Sequence, residues 1–198
     1  MDIGGDALKT ETDFPLHFGA LREEDLDALF AWRSATPGAW RDPIATTIVK
    51  HRQWYEGTVS YEDWIRGVYD AYGCFIAQTQ LHPIDWHNKS AEIGLIVNPI
   101  MRRKGLGREI VQDTLHYGFR NLGLNTIWGE VYKCTDAWLF WTKVCPNMTT
   151  MPQRKCWDGM VWDGASFRFE WLLLVCFNHC LVCFNHLLAF CFVAPNHA

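Results

Sequence analysis

One stretch decides the fold of this chain: Val97-Asn98-Pro99-Ile100-Met101-Arg102-Arg103-Lys104-Gly105-Leu106-Gly107-Arg108. It follows the largely apolar run Ala91–Val97, which predicts a central strand ending at Asn98-Pro99. It opens Leu106–Leu122, where apolar residues recur at the spacing of an amphipathic helix that Gly123 ends. The first turn of such a helix offers free N–H groups to an anion, and glycine lets a ligand approach the backbone closely. The stretch therefore predicts a phosphate-binding loop. The alternative is a glycine turn with solvated basic side chains.

The length and composition of the chain indicate one globular domain. It has 198 residues, of which 49% are hydrophobic and 20% charged, so it can bury a core without disulfides or metal. These values exclude a disordered, collagen-like or coiled-coil chain. The net charge of −4 disfavours a polyanionic partner, and no nucleic acid is expected. Because Met1–Thr12 lacks the apolar run of a secretory leader, we expect a cytoplasmic protein whose eight cysteines are reduced thiols.

The hydrophobic pattern predicts strands and helices in alternation, which indicates an α/β fold with a mixed sheet. Strands are expected at Leu16–Leu21, Cys74–Thr79, Leu81–Asp85, Ala91–Val97, Thr126–Tyr132, Lys155–Trp162 and Ser166–Leu172. Helices are expected at Arg22–Arg33, Ser60–Tyr69, Leu106–Leu122 and Thr135–Val144. The second of these would be capped by Ser60 and would present Trp64, Ile65, Val68 and Tyr69 on one face. Trp157-Asp158-Gly159 and Trp162-Asp163-Gly164 are expected to form turns on either side of a hairpin strand.

The loop and its flanking elements resemble a known superfamily. Arg102-x-x-Gly105-x-Gly107, after a strand ending in Val-Asn-Pro, is similar to the pyrophosphate loop of the GNAT superfamily of acyl-CoA-dependent N-acetyltransferases. Leu21–Leu26 resembles the first strand–helix unit of that family, and Glu130–Lys143 resembles its fifth strand and fourth helix. Ser90–Leu95 is similar to the fourth strand of the ribosomal-protein alanine and amino-sugar acetyltransferases. No other phosphate-loop pattern, such as Gly-x-x-x-x-Gly-Lys-Ser/Thr, occurs in the sequence.

This resemblance implies a fold and a division of the chain. We expect a GNAT-like mixed, splayed sheet of about six to seven strands flanked by about four helices. It would occupy residues 14–172, after a flexible N-terminus at 1–13 and before a tail at 173–198. The strands at Ala91–Val97 and Thr126–Tyr132 would be adjacent and parallel, with an opening between them beside Gly105 and Gly107. The protein is expected to be a monomer or a homodimer.

The resemblance also implies acetyl-CoA as a co-substrate and no metal. The residues expected to bind it are Leu95, Ile96, Val97, Arg102, Arg103, Lys104, Gly105, Leu106, Gly107, Arg108 and Thr135. Backbone N–H groups of Leu95, Ile96 and Val97 would polarise the thioester carbonyl, which requires position more than residue type.

Acetyl transfer to an amine also needs a base and, in many members, an acid. Glu92, on an otherwise apolar strand, is the first candidate base, and Glu130 on the neighbouring strand is the second. For Glu92 the alternative is a structural ion pair. The family's fourth helix commonly carries a tyrosine near the CoA sulfur, but Trp141 stands there, and Thr135 replaces the family's asparagine. Tyr132 would serve as a substitute acid, or the thiolate would leave unassisted, since a thiol has a pKa of about 8.5.

The acceptor is an amine of a small molecule or of a protein N-terminus, with a lean toward a small amine such as an amino sugar. Trp32, Trp40 and Trp54 lie in the segment that covers the acceptor site in the family, and Trp rings stack on sugars and cations. An alternative from another class is a catalytically weak acyl-CoA-binding or interaction module, because of Thr135 and Trp141.

The C-terminal tail has a composition unlike the rest of the chain. No Asp, Glu, Lys or Arg occurs from Trp171 to Ala198, and Leu174–His179 is repeated as Leu181–His186. An apolar addition that packs on the domain or aggregates is the favoured interpretation. A membrane anchor over residues 171–194 and a metal site at Cys180-x-x-Cys183 are less favoured alternatives.

Overall fold

The structure is a computed structural model that describes residues 15–35, 47–58, 64–133, 135–145, 149–155 and 161–170. The expected flexible N-terminus at 1–13, the tail at 173–198, Trp40 and the turn at Trp157-Asp158-Gly159 lie outside these residues. So do residues 60–63, the first part of the expected second helix.

The described residues form seven strands and four α-helices. The strands are β1 (His17–Ala20), β2 (Trp64–Tyr69), β3 (Phe75–Asp85), β4 (Ser90–Val97), β5 (Thr126–Tyr132), β6 (Thr149–Lys155) and β7 (Val161–Glu170). The helices are α1 (Leu26–Ser34), α2 (Ile48–Thr58), α3 (Leu106–Arg120) and α4 (Asp136–Val144). Short 3-10 turns precede α1 at Glu23–Asp25 and follow β4 at Pro99–Met101.

The strands form one mixed sheet in the order β1-β2-β3-β4-β5-β7-β6. Strands β4 and β5 are adjacent and parallel, with α3 as the crossover, and the remaining neighbours are antiparallel. The predicted α/β architecture and the parallel pair are therefore confirmed. The strand at Thr126–Tyr132 has the predicted bounds.

The second predicted helix is wrong. Trp64–Tyr69 forms strand β2, and the helix of this region is α2, which ends before it. Strand β2 lies between β1 and β3 and is buried at Trp64, Ile65, Val68 and Tyr69. A strand that is covered on both faces loses its alternation of apolar and polar residues, so its pattern resembles that of a buried helix.

Three smaller differences concern the hairpins. The two strands expected at Cys74–Thr79 and Leu81–Asp85 are one strand, β3, whose register with β4 shifts between Leu81 and Ile84. Among the residues that the structure describes, no single strand covers the expected range Lys155–Trp162: β6 already ends at Lys155, and β7 begins at Val161, earlier than predicted. Trp162-Asp163-Gly164 consequently lies inside a strand and does not form a turn.

Helices cover the two faces of the sheet and define two sides of the molecule. On one face, α3 and α4 pack on β4, β5 and β7 through Val111, Leu115, Phe119 and Trp141. On the other face, α1 and α2 pack on β2 and β4 through a cluster that includes Leu29, Ile65 and Ile96. Within the described ranges, no helix combines the length and the apolar character needed to cross a bilayer.

Candidate acyl-CoA and acceptor site

The opening between β4 and β5 follows directly from their register. Three residue pairs join the two strands: Ser90–Thr126, Ala91–Ile127 and Glu92–Trp128. Beyond Glu92, β4 remains paired with β3 as far as Val97, and β5 remains paired with β7 as far as Tyr132. The two parallel strands therefore diverge, as expected, and leave backbone groups of β4 facing a gap.

The direction of those backbone groups can be read from the bonds to β3. The N–H of Asn98 donates to Ile76 O at 2.9 Å. Because N–H groups alternate along a strand, that of Ile96 also faces β3, while those of Leu95 and Val97 face the gap. Of the three predicted donors to the thioester, Leu95 and Val97 are thus suitably directed and Ile96 is not.

The basic loop is held against the end of β4 by its own side chains. Asn98 Oδ1 accepts a hydrogen bond from the N–H of Ile100 at 3.1 Å, which caps the 3-10 turn. The side chain of Arg102 donates from Nε to Val97 O at 3.2 Å. This bond anchors the guanidinium beside the gap.

Two residues of the loop adopt left-handed backbone conformations. Arg103 has φ +66° and Gly105 has φ +85°. A Cβ at Gly105 would meet no atom within 4 Å, so conformation alone accounts for glycine there. Arg103, Lys104 and Arg108 are exposed, and together with Arg102 they place four cations around the start of α3. This local field opposes the net charge of the chain and favours an anion.

The first turn of α3 supplies fewer backbone donors than the sequence suggests. The N–H of Arg108 already donates to Gly105 O at 2.9 Å. In the part of the chain that the structure describes, the N–H groups of Leu106 and Gly107 have no acceptor, as is usual for a helix start. Leu106 itself is buried, with its side chain in the core beneath β2 and β3.

Gly107 packs closely against helix α4. A Cβ on Gly107 would lie 3.2 Å from Cε2 of Phe140 on α4 and 3.6 Å from Cδ2 of Leu95 on β4. The ring of Phe140 thus occupies the space that a side chain at 107 would need. The position was expected to be glycine so that pyrophosphate could approach, but its missing side chain faces α4.

Helix α4 begins beside the gap, and its residue Trp141 points into the core. Thr135 Oγ1 donates to Tyr132 O at 2.8 Å, which leaves only the acceptor lone pairs of the hydroxyl for a bound ligand. Trp141 is 7% exposed, and its ring stacks on Phe167 at a centroid distance of 4.3 Å. Because an indole N–H is not an acid near neutral pH, the residue at the family's tyrosine position contributes packing here.

The two candidate bases and the candidate acid share one face of the sheet. Glu92 is the last residue of β4 that pairs with β5, and Glu130 and Tyr132 follow on β5 along the gap. Ala91, Ile93, Ile127 and Val131 point toward α3 and α4, so the alternating residues Glu92, Glu130 and Tyr132 are directed to the opposite face. All three are half-buried.

Helices α1 and α2 cover this same face of the sheet. Trp54 stacks on His51 at 5.2 Å and lies 5.3 Å from the Arg33 guanidinium carbon. Trp32 stacks on Phe75 at 4.8 Å, at the beginning of β3, and serves as a packing residue. Both rings therefore pack in the cluster under these helices, and a role of Trp32 and Trp54 in binding an acceptor stays a prediction.

Sequence reasoning missed the polar residues of β3 that lie under these helices. Gln78 is 1% exposed and accepts a hydrogen bond from Arg33 Nη2 at 3.4 Å. Gln78 Nε2 donates in turn to Gln80 Oε1 at 3.0 Å. The available signal was the spacing: two glutamines two residues apart in an apolar strand place both amides on one face.

His51 predicts a pH dependence of stability. Burial, the charge of Arg33 and, in the opposite direction, Asp27 set the pKa of His51, which falls to about 4. Its proton is therefore taken up on unfolding between about pH 6.5 and 4, and stability falls as the pH is lowered through that interval. We expect a loss on the order of 1–2 kcal/mol after solvent screening.

The measurement is urea unfolding between pH 7 and 4.5. His51→Phe, which keeps a ring between Phe30 and Trp54, should flatten the dependence, whereas His17→Phe at an exposed position should not. An unchanged slope in His51→Phe would contradict the assignment.

Comparison with known proteins agrees with this geometry. Residues 16–134, more than half of the chain, match the acetyltransferase (GNAT) domain family, so the protein belongs to this family. Within that class it is an acyl-CoA-dependent N-acetyltransferase. No curated protein sequence matches the chain significantly. Among the described residues, no group of His, Cys, Asp and Glu is arranged to hold a metal ion.

Solved structures with the same fold include spermidine N-acetyltransferases from Vibrio cholerae. One, in complex with CoA and spermine, is 19% identical, covers 78% of this chain and 95% of its own, and has a TM-score of 0.66. A structure of mutant forms of the spermidine/spermine N-acetyltransferase is 18% identical, covers 82% of this chain and 98% of its own, and has a TM-score of 0.67. At these identities the similarity establishes the fold. The resemblance to ribosomal-protein alanine and amino-sugar acetyltransferases stays a prediction.

Proposed function

We propose that the protein transfers the acetyl group of acetyl-CoA to the primary amine of a small molecule, at the gap between β4 and β5. The observation that carries this proposal is the divergence of the two strands after Glu92, next to a loop whose Arg102 is bonded to the end of β4. The loop suits a diphosphate, and the unpaired edge of β4 suits a pantetheine chain and a thioester.

Different residues of the gap act in different steps of the reaction. The N–H groups of Leu95 and Val97 stabilise the charge that develops on the thioester oxygen as the amine nitrogen attacks the carbonyl carbon. Glu92 accepts a proton from the amine, either directly or through water, and Glu130 is the second candidate for this role. The C–S bond then breaks and the sulfur leaves as a thiolate.

Protonation of the thiolate is the step where this chain departs from its family. The buried Trp141 provides no proton, and Tyr132 faces the side of α1 and α2. Unassisted departure is compatible with the thiol pKa of about 8.5. Tyr132 stays the candidate for a substitute acid.

A catalytically weak acyl-CoA-binding module is the second candidate function. The burial of Trp141 against Phe167 favours it, because that position supplies the acid in many relatives. For the acceptor, a small amine is preferred over a protein N-terminus, and the polyamines named for the Vibrio cholerae enzymes join the amino sugars as test compounds.

The deciding experiment mixes the purified full chain with acetyl-CoA and a panel of amines, and follows the release of free thiol. Amine-dependent release supports the enzyme. Micromolar CoA binding by calorimetry without thiol release with any amine would favour the binding module.

Glu92→Gln should lower kcat by about 100-fold with little change in the KM for acetyl-CoA, because general-base catalysis contributes roughly that factor. The fall of kcat/KM at low pH, which reports protonation of the base, should disappear in the same variant. Glu24→Gln, on an exposed side chain of the first 3-10 turn, is the matched control. A full rate in Glu92→Gln together with a loss in Glu130→Gln would assign the base to β5.

A further inference from the structure

Three polar side chains form a chain of hydrogen bonds from Arg33 on α1 through the buried Gln78 to Gln80 on β3. Burial lowers the pKa of the Arg33 guanidinium to about 10, so it is charged at neutral pH. Arg33 Nη2 donates to Gln78 Oε1 at 3.4 Å, and Gln78 Nε2 donates to Gln80 Oε1 at 3.0 Å. Gln78 is fully buried, while Gln80 is half-buried.

The direction of this chain of hydrogen bonds is determined at its Arg33 end. Arginine has donors only, so Gln78 must present its carbonyl oxygen to Arg33 and its amide nitrogen to Gln80. Gln80 must then turn its own oxygen toward Gln78 and its Nε2 group away. Within the described residues, Nε2 of Gln80 has no acceptor.

The Nε2 group of Gln80 lies beside β4, the strand that carries Glu92. Gln80 pairs with Gly94 of β4, and a Cβ on Gly94 would lie 2.8 Å from Cγ and 3.1 Å from Nε2 of Gln80. The absence of a side chain at 94 therefore lets Gln80 lie across β4. Gly94 is two residues beyond Glu92, where β4 and β5 begin to separate, on the face that carries Glu92.

Resting on the proposed function, we infer that Gln80 is a specificity-determining residue: its Nε2 donates a hydrogen bond to an oxygen on the acceptor, so the natural substrate is an amine with a nearby hydroxyl, carbonyl or carboxylate oxygen. A protonated polyamine offers donors only and cannot satisfy this amide. An acceptor of the oxygen-bearing class gives this half-exposed amide a protein-bound partner in place of water.

The test compares matched pairs of amines in the parent and in Gln80→Glu. Glucosamine is paired with cyclohexylamine, alaninamide with sec-butylamine, and spermidine is added. The parent should prefer the oxygen-bearing member of each pair by about 10-fold in kcat/KM, the range of one hydrogen bond. Gln80→Glu keeps an oxygen for Gln78 and replaces the outward donor with an acceptor, so the preference should be lost and spermidine should gain. Gln112→Glu, exposed on α3, is the control.

Gln78→Glu tests whether the buried end sets the direction. The new carboxylate accepts from Arg33 and from Gln80, so Gln80 must turn its oxygen outward. The preference should be lost, as in Gln80→Glu, although Gln78 is buried and contacts no substrate. If this variant does not fold, as judged by circular dichroism, Gln80→Glu alone decides.

Binding of the same amines to the CoA-loaded protein, measured by saturation-transfer NMR, separates this inference from the proposed function. Selective binding without thiol release contradicts only the transferase. A parent that favours spermidine, or pair ratios in Gln80→Glu that stay within twofold of the parent's ratios, would overturn the role of Gln80.

Discussion

Arg102→Ala is expected to weaken CoA binding by 10- to 150-fold. The Arg102 side chain donates a hydrogen bond to Val97 O at the end of β4, which holds its guanidinium beside the gap. A charge-assisted contact to phosphate contributes ~1.5–3 kcal/mol, and that range corresponds to the expected loss. Calorimetric titration with CoA measures it directly. In the assay, the KM for acetyl-CoA should rise while the KM for the amine stays nearly unchanged.

Two further variants identify the cause. Arg102→Lys retains a positive charge but loses the Nε bond and the planar fork, so it should recover only part of the affinity. Arg120→Ala removes an exposed arginine at the far end of α3, roughly 20 Å along the helix, and should bind CoA like the parent. Unchanged affinity in Arg102→Ala would mean that the loop is a basic turn, and the assignment of the diphosphate site would be lost.

Gly107→Val should reduce CoA affinity at least as strongly and should also lower stability. Even the Cβ would come within 3.2 Å of the Phe140 ring, and the valine methyl groups would press further into Phe140 and Leu95. Overpacking of this kind costs about 1–3 kcal/mol. Because α4 and the end of β4 border the gap, their displacement should disturb the site that binds CoA. Thermal unfolding and CoA titration are the measurements.

The packing explanation has a specific test. Gly107→Val combined with Phe140→Leu creates room, so affinity and stability should partly return if the ring is the obstacle. Persistent loss of affinity in a double variant of normal stability would show instead that bulk at 107 blocks the ligand. Gly57→Val is the matched control, because a Cβ at Gly57 of α2 would have no neighbour within 4 Å.

The central unit of the fold was predictable from the sequence because its signals are local. The apolar run of β4, Asn98-Pro99 at its end, the 3.6-residue period of α3 and Gly123 each report the conformation of their own residues. Gly105 likewise needs only its own φ to be explained. The position of β5 beside β4 and parallel to it was implied by the family resemblance, and the pairing of Ser90–Glu92 with Thr126–Trp128 confirms it.

Strand β2 shows where local reasoning failed. Its residues repeat at a spacing that also fits a helix, and the burial of both of its faces, between β1 and β3, removed the alternation that would have distinguished the two. Neither neighbour could be inferred from residues 64–69 alone.

The orientation of the site residues depends on contacts between distant parts of the chain. Arg33 and Gln78 are 45 residues apart in sequence, and Gly107 meets Phe140 only after α3 and α4 pack together. The bond from Asn98 to Ile76 decides which N–H groups of β4 face the gap. Backbone preferences act over a few residues, so the sequence alone establishes the strand–loop–helix and its charge. The direction of a hydrogen bond and the space around a side chain depend on neighbours that only packing supplies.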